Sequence, residues 1–294
     1  MNLKALLKRR VEVERISDGI DIDNINKVVS FNPNHQKNVD TNDPYNPQPR
    51  RCKVKGYTCI SVFLRKETSS KLDGNPLIYA LKNFDKVIEM PDRGSLKYKK
   101  MWKFKNPQSD IMALMKRFVA VTKEFEEPFD TIIVIPSSSK LNEYVAKCIN
   151  RIRGGFFIKK FFKKLTANLV EDLYLDEEFV LREYPVEEQD DKFVAIRTAF
   201  DNMRKRNNGM FSYKYFEDEK LRGCVEKSME IPNDIYYNDN IASRINGKRI
   251  LVVDDTITTK GTLSESAEAL ENEYSPRDIV FFTLFSPLIK DKKE

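Results

Sequence analysis

The chain has 294 residues, 40% of them hydrophobic and 33% charged, which suits one large or two small globular domains and excludes a fibrous or wholly disordered chain. Lys and Arg outnumber Asp and Glu by 51 to 45, a formal charge of +6 that favours anionic partners without choosing between phosphorylated small molecules and nucleic acid. One histidine argues against Ser-His or Cys-His catalysis, four cysteines without a C-x-x-C pair argue against zinc, and no apolar run spans a bilayer, so a cytoplasmic protein with reduced thiols is expected.

In chain order, Val11 to Val28 mixes apolar and charged residues and reads as a short helix. Phe31 to Arg50 carries Asn32-Pro33, Asp43-Pro44 and Asn46-Pro47, turn signals that mark a loop or linker. His35 lies within it and reads as an exposed loop residue. Tyr57 to Leu64 reads as a strand, with Ile60, Val62 and Leu64 on one face.

Ser109-Asp110 open a helix in which Ile111, Leu114, Met115, Phe118 and Val119 recur at helical spacing, and Pro128 ends it. Thr131 to Ile135 is a continuous apolar run, the pattern of a strand buried on both faces of a parallel sheet. After a serine-rich turn, Leu141, Tyr144, Val145, Cys148, Ile149 and Ile152 form the stripe of a second helix. Gly154-Gly155 stop it.

In Phe156 to Lys164, phenylalanine and lysine pairs alternate, and a helix with an aromatic and a basic face is expected. Lys159, Lys160, Lys163 and Lys164 read first as a solvated face and second as a phosphate-tracking patch. Arg204 to Asn208 is another basic cluster. Arg249 to Val253 is again a buried-strand pattern. Thr262-x-x-Glu265 reads as a capping box placing a helix start at Leu263, and Ile279 to Leu284 is a final strand. Strand, loop, helix and strand in this order describe a right-handed crossover in a parallel sheet.

Asp254 and Asp255 close a buried strand, at the edge where open α/β sheets bind ligands. Thr256 to Thr262 lead into the capped helix, and hydroxyls and amides at a helix N-terminus cradle phosphate. Adjacent carboxylates accept from a pair of sugar hydroxyls. The combination describes a site for a ribose 5-phosphate unit.

Val252 to Leu263 resembles the ribosyl-phosphate loop of type I phosphoribosyltransferases. The resemblance implies that Asp254 and Asp255 hold the ribose 2′- and 3′-hydroxyls, and that Thr258, Thr259, Lys260, Gly261 and Thr262 hold the 5′-phosphate. Thr256 stands where the family usually has an apolar residue, and Lys260 where it usually has glycine. Ile133 to Ser139 resembles the family's pyrophosphate loop, with Ser137, Ser138, Ser139 and Lys140 as the binding groups. A serine turn that merely caps the next helix is the equal alternative. Arg204-x-x-Asn207-x-x-x-Phe211 resembles a segment of the ComF-like branch, which makes Arg204 and Asn207 possible hood contacts. The alternative there is a solvated basic turn. Tyr79-Ala80-Leu81-Lys82 loosely resembles the same branch, whose zinc-binding cysteine pairs are missing here.

The resemblance implies an α/β fold with a parallel-sheet core. Residues 1–75 form an N-terminal extension and 76–294 the phosphoribosyltransferase-like domain, with a hood inserted at about 156–245. The implied function is transfer or cleavage of a phosphoribosyl group from phosphoribosyl pyrophosphate or a nucleotide. Mg²⁺ is held mainly by substrate oxygens, with no dedicated protein metal site. The alternatives are a non-catalytic regulator that senses a nucleotide and binds nucleic acid or a protein, and an effector acting on cellular nucleotides.

Overall fold

The computed structural model describes residues 19–289 apart from 33, 35–38, 41–49, 67–73, 124–127, 138, 219 and 257–260. His35 and the Asp43-Pro44 and Asn46-Pro47 signals lie outside the described residues. The chain divides into two compact units: residues 1–159, 248–257 and 278–294, and residues 160–247 and 258–277.

The first unit is built on a mixed sheet. Its parallel members are β5 (Tyr57–Lys66), β7 (Thr131–Val134), β8 (Phe156–Ile158), β11 (Arg249–Thr256) and β12 (Asp278–Ile289), in the order β5-β12-β11-β7-β8. Two shorter strands, β3 (Val39–Asp40) and β4 (Arg50–Val54), run antiparallel along the outer edge of β5. β12 lies between β5 and β11, so both its edges are paired. Phe281, Phe282, Thr283, Leu284 and Phe285 are all buried, as the continuous apolar run requires.

A second, three-stranded sheet joins β1 (Gly19–Asp23), β2 (Val28–Asn32) and β6 (Lys103–Phe104). β1 and β2 form a hairpin whose turn is fixed by the Asp23 carboxylate, which accepts from the Ile25 and Asn26 amides. The helix expected over Val11 to Val28 is thus a strand, a turn and the start of a strand from Gly19 onward. Alternation of Ile20 and Ile22 with Asp21 and Asp23 decides the period, which is two. Phe31 and Asn32 continue β2, and β3 and β4 occupy part of the stretch read as a loop.

Among the described residues, four helices complete the unit: α1 (Asn75–Glu89), α2 (Leu96–Lys100), α3 (Pro107–Lys123) and α4 (Leu141–Arg153). Leu77, Ile78, Leu81 and Phe84 of α1, and Ile111, Leu114, Met115 and Phe118 of α3, enter one apolar core with the sheet. Gly155, at φ 99°, follows α4, and a Cβ there would lie 2.8 Å from the Phe129 carbonyl oxygen, so only glycine fits. The boundary expected at residue 75 does not hold as a division: β5 pairs directly with β12 and belongs to the main sheet.

The second unit is mainly helical: α5 (Ala167–Tyr174), α6 (Glu178–Glu183), α7 (Val186–Arg206), α8 (Asn233–Tyr236), α9 (Asp239–Ser243) and α10 (Thr262–Glu273), with a two-stranded ribbon of β9 (Lys163–Lys164) and β10 (Met229–Glu230). Its core gathers Leu165, Val170, Val180, Phe200, Met203 and Phe211. The two-faced helix expected over Phe156 to Lys164 is instead β8, a turn with Lys160 at φ 59°, and β9. Phe161 and Phe162 are buried, whereas Phe156 is exposed. Lys159 pairs with Glu143 and Lys163 with Glu230, so the lysines do not form one helical face. The expected hood start at 156 shifts to about 160, because β8 belongs to the main sheet.

Candidate functional site

β11 and β7 run parallel, with Val253 opposite Val134. The Ile135 amide then donates to the Val253 carbonyl at 2.9 Å. The acid pair and the serine turn, more than a hundred residues apart in sequence, therefore leave the sheet side by side at its carboxyl edge.

Asn142, in the first turn of α4, joins them. Its side-chain amide donates to the Ile135 carbonyl at 3.1 Å and to Asp254 Oδ1 at 2.9 Å. The same Asp254 oxygen accepts from the Asp255 amide at 2.8 Å. Asn142 Oδ1 is buried with no hydrogen-bond partner. Such an orphan acceptor is costly and uncommon, and it marks a place where a donor is wanted.

Lys82 of α1 places Nζ 2.5 Å from Asp255 Oδ2, and Asp255 is 4% exposed. Arg65 of β5, also buried, donates from Nη1 to Thr256 Oγ1 at 3.2 Å, and its amide donates to Ser286 Oγ at 3.0 Å. Ser61 and Thr283 share a 2.8 Å hydrogen bond on the neighbouring strands, and Thr283 stands opposite Asp254 in register. Two cations thus converge on the end of β11.

Desolvation, and after it the charge of Asp255, push the Asp254 carboxyl up to about 7. The Asp255 amide, Lys82 and Asn142 pull the other way without restoring the ordinary value. Burial disfavours the Lys82 ammonium, but the Asp255 carboxylate more than offsets this and its pKa is raised. The arrangement sets one carboxylate in a 2.5 Å ion pair with a lysine. The other sits near neutrality, able to accept hydroxyls as a carboxylate or to keep a proton.

The serine turn is less committed. The Ser139 amide donates to Ser137 Oγ at 3.4 Å, and the Leu141 amide to Ser139 Oγ at 3.4 Å. Lys140 precedes α4 without a side-chain capping bond and is exposed. Ser138 lies outside the described residues, as do Thr258, Thr259 and Lys260. Gly261, at φ 149°, and Thr262 open α10.

The second unit corrects one expectation and shows the surroundings of two more residues. Glu265 does not close a capping box: α10 begins at Thr262 after Gly261, which makes no side-chain cap bond. The Glu265 carboxylate instead accepts from the Ser228 and Met229 amides, at 2.5 and 2.8 Å, and from Ser228 Oγ at 2.5 Å. Arg204 is engaged by Asn168 at 2.8 Å, Asp201 at 2.9 Å and Glu171, so its guanidinium braces α7 against α5. Asn207 donates to the Met210 carbonyl at 2.6 Å and closes the end of α7. Both have structural partners within the second unit.

The sequence reading missed Lys82 and Arg65 as site residues. Lys82 carried a faint signal, a cation flanking the apolar stripe Ile78, Leu81 on α1, but nothing in its spacing named an acid some 170 residues away. An apolar cavity of about 20 Å³ among Leu81, Leu114, Phe118, Val145, Cys148 and Leu284 has room for about one water and no polar group to hold it, so it is a packing void.

Among the described residues, no group of three or more His, Cys, Asp or Glu is placed to hold a metal ion, and no helix is long and apolar enough to cross a membrane. No family model, curated protein or solved structure matches the chain.

Proposed function

We propose that the chain is a phosphoribosyltransferase-like protein that binds phosphoribosyl pyrophosphate or a nucleotide at the carboxyl edge of β11 and transfers or cleaves the phosphoribosyl group. The observation that carries this reading is the placement of the acid pair beside the serine turn, with Asn142 bonded to both strand ends. The acids accept from the ribose hydroxyls, and the serine turn takes the pyrophosphate.

The reaction breaks the bond from ribose C1 to a pyrophosphate oxygen and joins C1 to a nitrogen nucleophile. Charge develops on the sugar, so the residues serve by binding and orienting rather than by passing protons, and no histidine is required. Two carboxylates, one of them paired with Lys82, supply too few oxygens for a metal cage. They do fit a Mg²⁺ that arrives on substrate oxygens and neutralises pyrophosphate charge. Calorimetry with phosphoribosyl pyrophosphate and Mg²⁺ tests the reading. Binding should weaken by two orders of magnitude or more, about 2.7 kcal/mol, in an Asp254→Asn, Asp255→Asn double variant. A folded double variant that binds as well as the parent refutes the ribose assignment. Pyrophosphate release across candidate bases then identifies the acceptor.

A second reading, a non-catalytic sensor, is favoured by the Lys82–Asp255 pair, which occupies a carboxylate needed for a sugar hydroxyl. On that reading Lys82 must swing away before the nucleotide binds, and Lys82→Met should tighten binding while pyrophosphate release stays undetectable. On the catalytic reading Lys82→Met leaves a buried charge unopposed, and binding weakens.

A further inference from the structure

Between Arg93 and Lys105 the chain reads Arg-Gly-Ser-Leu-Lys-Tyr-Lys-Lys-Met-Trp-Lys-Phe-Lys: six cations and no acid. The whole chain has 51 Lys and Arg against 45 Asp and Glu, so this one segment holds the entire excess, and the remaining 45 cations match the 45 acids. Lys97, Lys99, Lys100 and Lys105 are exposed and make no ion pair among the described residues. Of the nearby acids, Asp92 accepts from the Gly94 amide, Asp23 accepts from Ile25 and Asn26 and faces Lys103, and Asp110 accepts from the Phe31 and Asn106 amides and faces Lys105, so none forms an ion pair with Lys97, Lys99 or Lys100.

The aromatic groups of the segment are fixed in place. β6 pairs with β2, and the Lys103 amide donates to the Lys27 carbonyl, which brings the segment alongside the β1–β2 turn. Lys27 Nζ lies 4.9 Å from the Trp102 ring centre, and Lys103 Nζ lies 5.0 Å from that of Tyr98. Trp102 packs against the core of the first unit, so it presents a held ring rather than a free one.

Unpaired cations interleaved with anchored rings are what a phosphate backbone and its bases require together. A membrane surface would call for a long amphipathic helix whose apolar face can sink into the headgroups. Here the only helix is α2, five residues long, and Trp102 and Phe104 are packed on the protein.

We propose that Arg93–Lys105, with Lys27, is a binding surface for single-stranded nucleic acid. Lys97, Lys99, Lys100 and Lys105 track the phosphates. Lys27 moves from the Trp102 ring to a phosphate, and a base takes its place on the ring. The surface uses none of the residues at the carboxyl edge of β11, so the proposal stands whether or not that site binds a phosphoribosyl compound.

The test is a titration of the full chain with an oligothymidylate of about twelve nucleotides, followed by the emission of Trp102, the sole tryptophan. Emission should be quenched. With about four phosphates contacted, affinity should fall roughly 50-fold between about 50 and about 200 mM salt. Changing Lys97, Lys99 and Lys100 together to Gln should weaken binding at least about tenfold and flatten the salt slope by about two, with the melting temperature unchanged. Should that variant fail to fold, Arg93→Gln with Lys105→Gln provides the same comparison. The proposal is overturned by absence of binding at low salt, or by variants that bind like the parent. It is equally overturned by a polyphosphate of matched charge that binds as tightly while the oligonucleotide leaves Trp102 unquenched, or by phosphatidylserine vesicles binding where the oligonucleotide does not.

Discussion

Both units hold a half-buried acid near one end of a secondary-structure element, and the two acids are treated differently. In the second unit, Glu265 is surrounded by two amides and a hydroxyl, all aimed at its carboxylate. In the first unit, Asp254 accepts from the Asn142 side chain and the Asp255 amide, faces the charge of Asp255, and lies beside an Asn142 amide oxygen that has no partner. Burial raises the pKa of both. Glu265 is a completed knot that fastens α10 to β10, whereas Asn142, beside the end of β11, keeps an unfilled acceptor. A buried charge alone does not mark a site; unfilled capacity beside it does.

The largest effect that would break this comparison is expected at Glu265. Glu265→Ala leaves two amides and a hydroxyl buried without an acceptor. At about 1 kcal/mol or more for each, the loss is about 3 kcal/mol, read as a lower urea midpoint. A loss near zero would mean that the knot is not structural.

The opposite sign is expected at Asp254. Its folded-state pKa of about 7 exceeds the ordinary 3.8, so the folded chain keeps a proton that the unfolded chain has released. The resulting loss of stability is absent below about pH 4, grows as pH rises toward 7, and is constant above. Asp254→Asn removes it. The variant should match the parent near pH 4 and exceed it by about 2 kcal/mol at pH 8, a figure lowered for partial exposure. Urea midpoints for both proteins across that range provide the check, and parallel curves would contradict the raised pKa. The same variant should lose ligand affinity, so stability and binding move in opposite directions, as expected of a site and not of a knot.

A smaller effect is expected at Gly261. Its φ of 149° is poorly suited to a side chain, so Gly261→Ala should destabilise by about 1 kcal/mol, measured by thermal unfolding. The smallest contrast is between thiols. Cys52 of β4 stands opposite Cys59 of β5, whose thiol hydrogen-bonds to it and pulls it down to about 7. In the second unit, burial pushes Cys224 up to about 12. Iodoacetamide followed by mass spectrometry should modify Cys52 first, at a rate that rises through pH 7, with Cys224 inert and stability unchanged. Equal labelling of the two would remove the contrast.

Much of the first unit was legible in sequence, because its strands β7, β11 and β12 are buried on both faces and its helices α3 and α4 carry full apolar stripes. Pairing was less legible. Nothing local says that β5 adds to β12, so residues before 75 were read as an extension. Phe156 to Lys164 misled because doublets of Phe and Lys fit a helix as well as two short strands. The deciding feature is the backbone at Lys160, whose positive φ has no signal in a lysine. Thr262-x-x-Glu265 had the spacing of a cap, but Ser228 and Met229 offered Glu265 more donors than the helix end did. At the site, the acid pair and the serine turn were visible as motifs. Asn142, Lys82 and Arg65 were not, since each acts through a long-range contact.

The place of β12 in the sheet has a consequence for how the molecule is made. It is an interior strand, yet it leaves the ribosome after every element that it joins. Until Asp278 to Ile289 emerge, β5 has no parallel neighbour, β11 is open on one side, and the first unit must wait through the synthesis of the whole second unit. Its fold is therefore dominated by late, long-range closure, the slow kind. A nascent chain stalled before residue 278 should expose two unpaired strand edges and depend on chaperones, whereas the helices between 160 and 247 can already have collapsed around their own core.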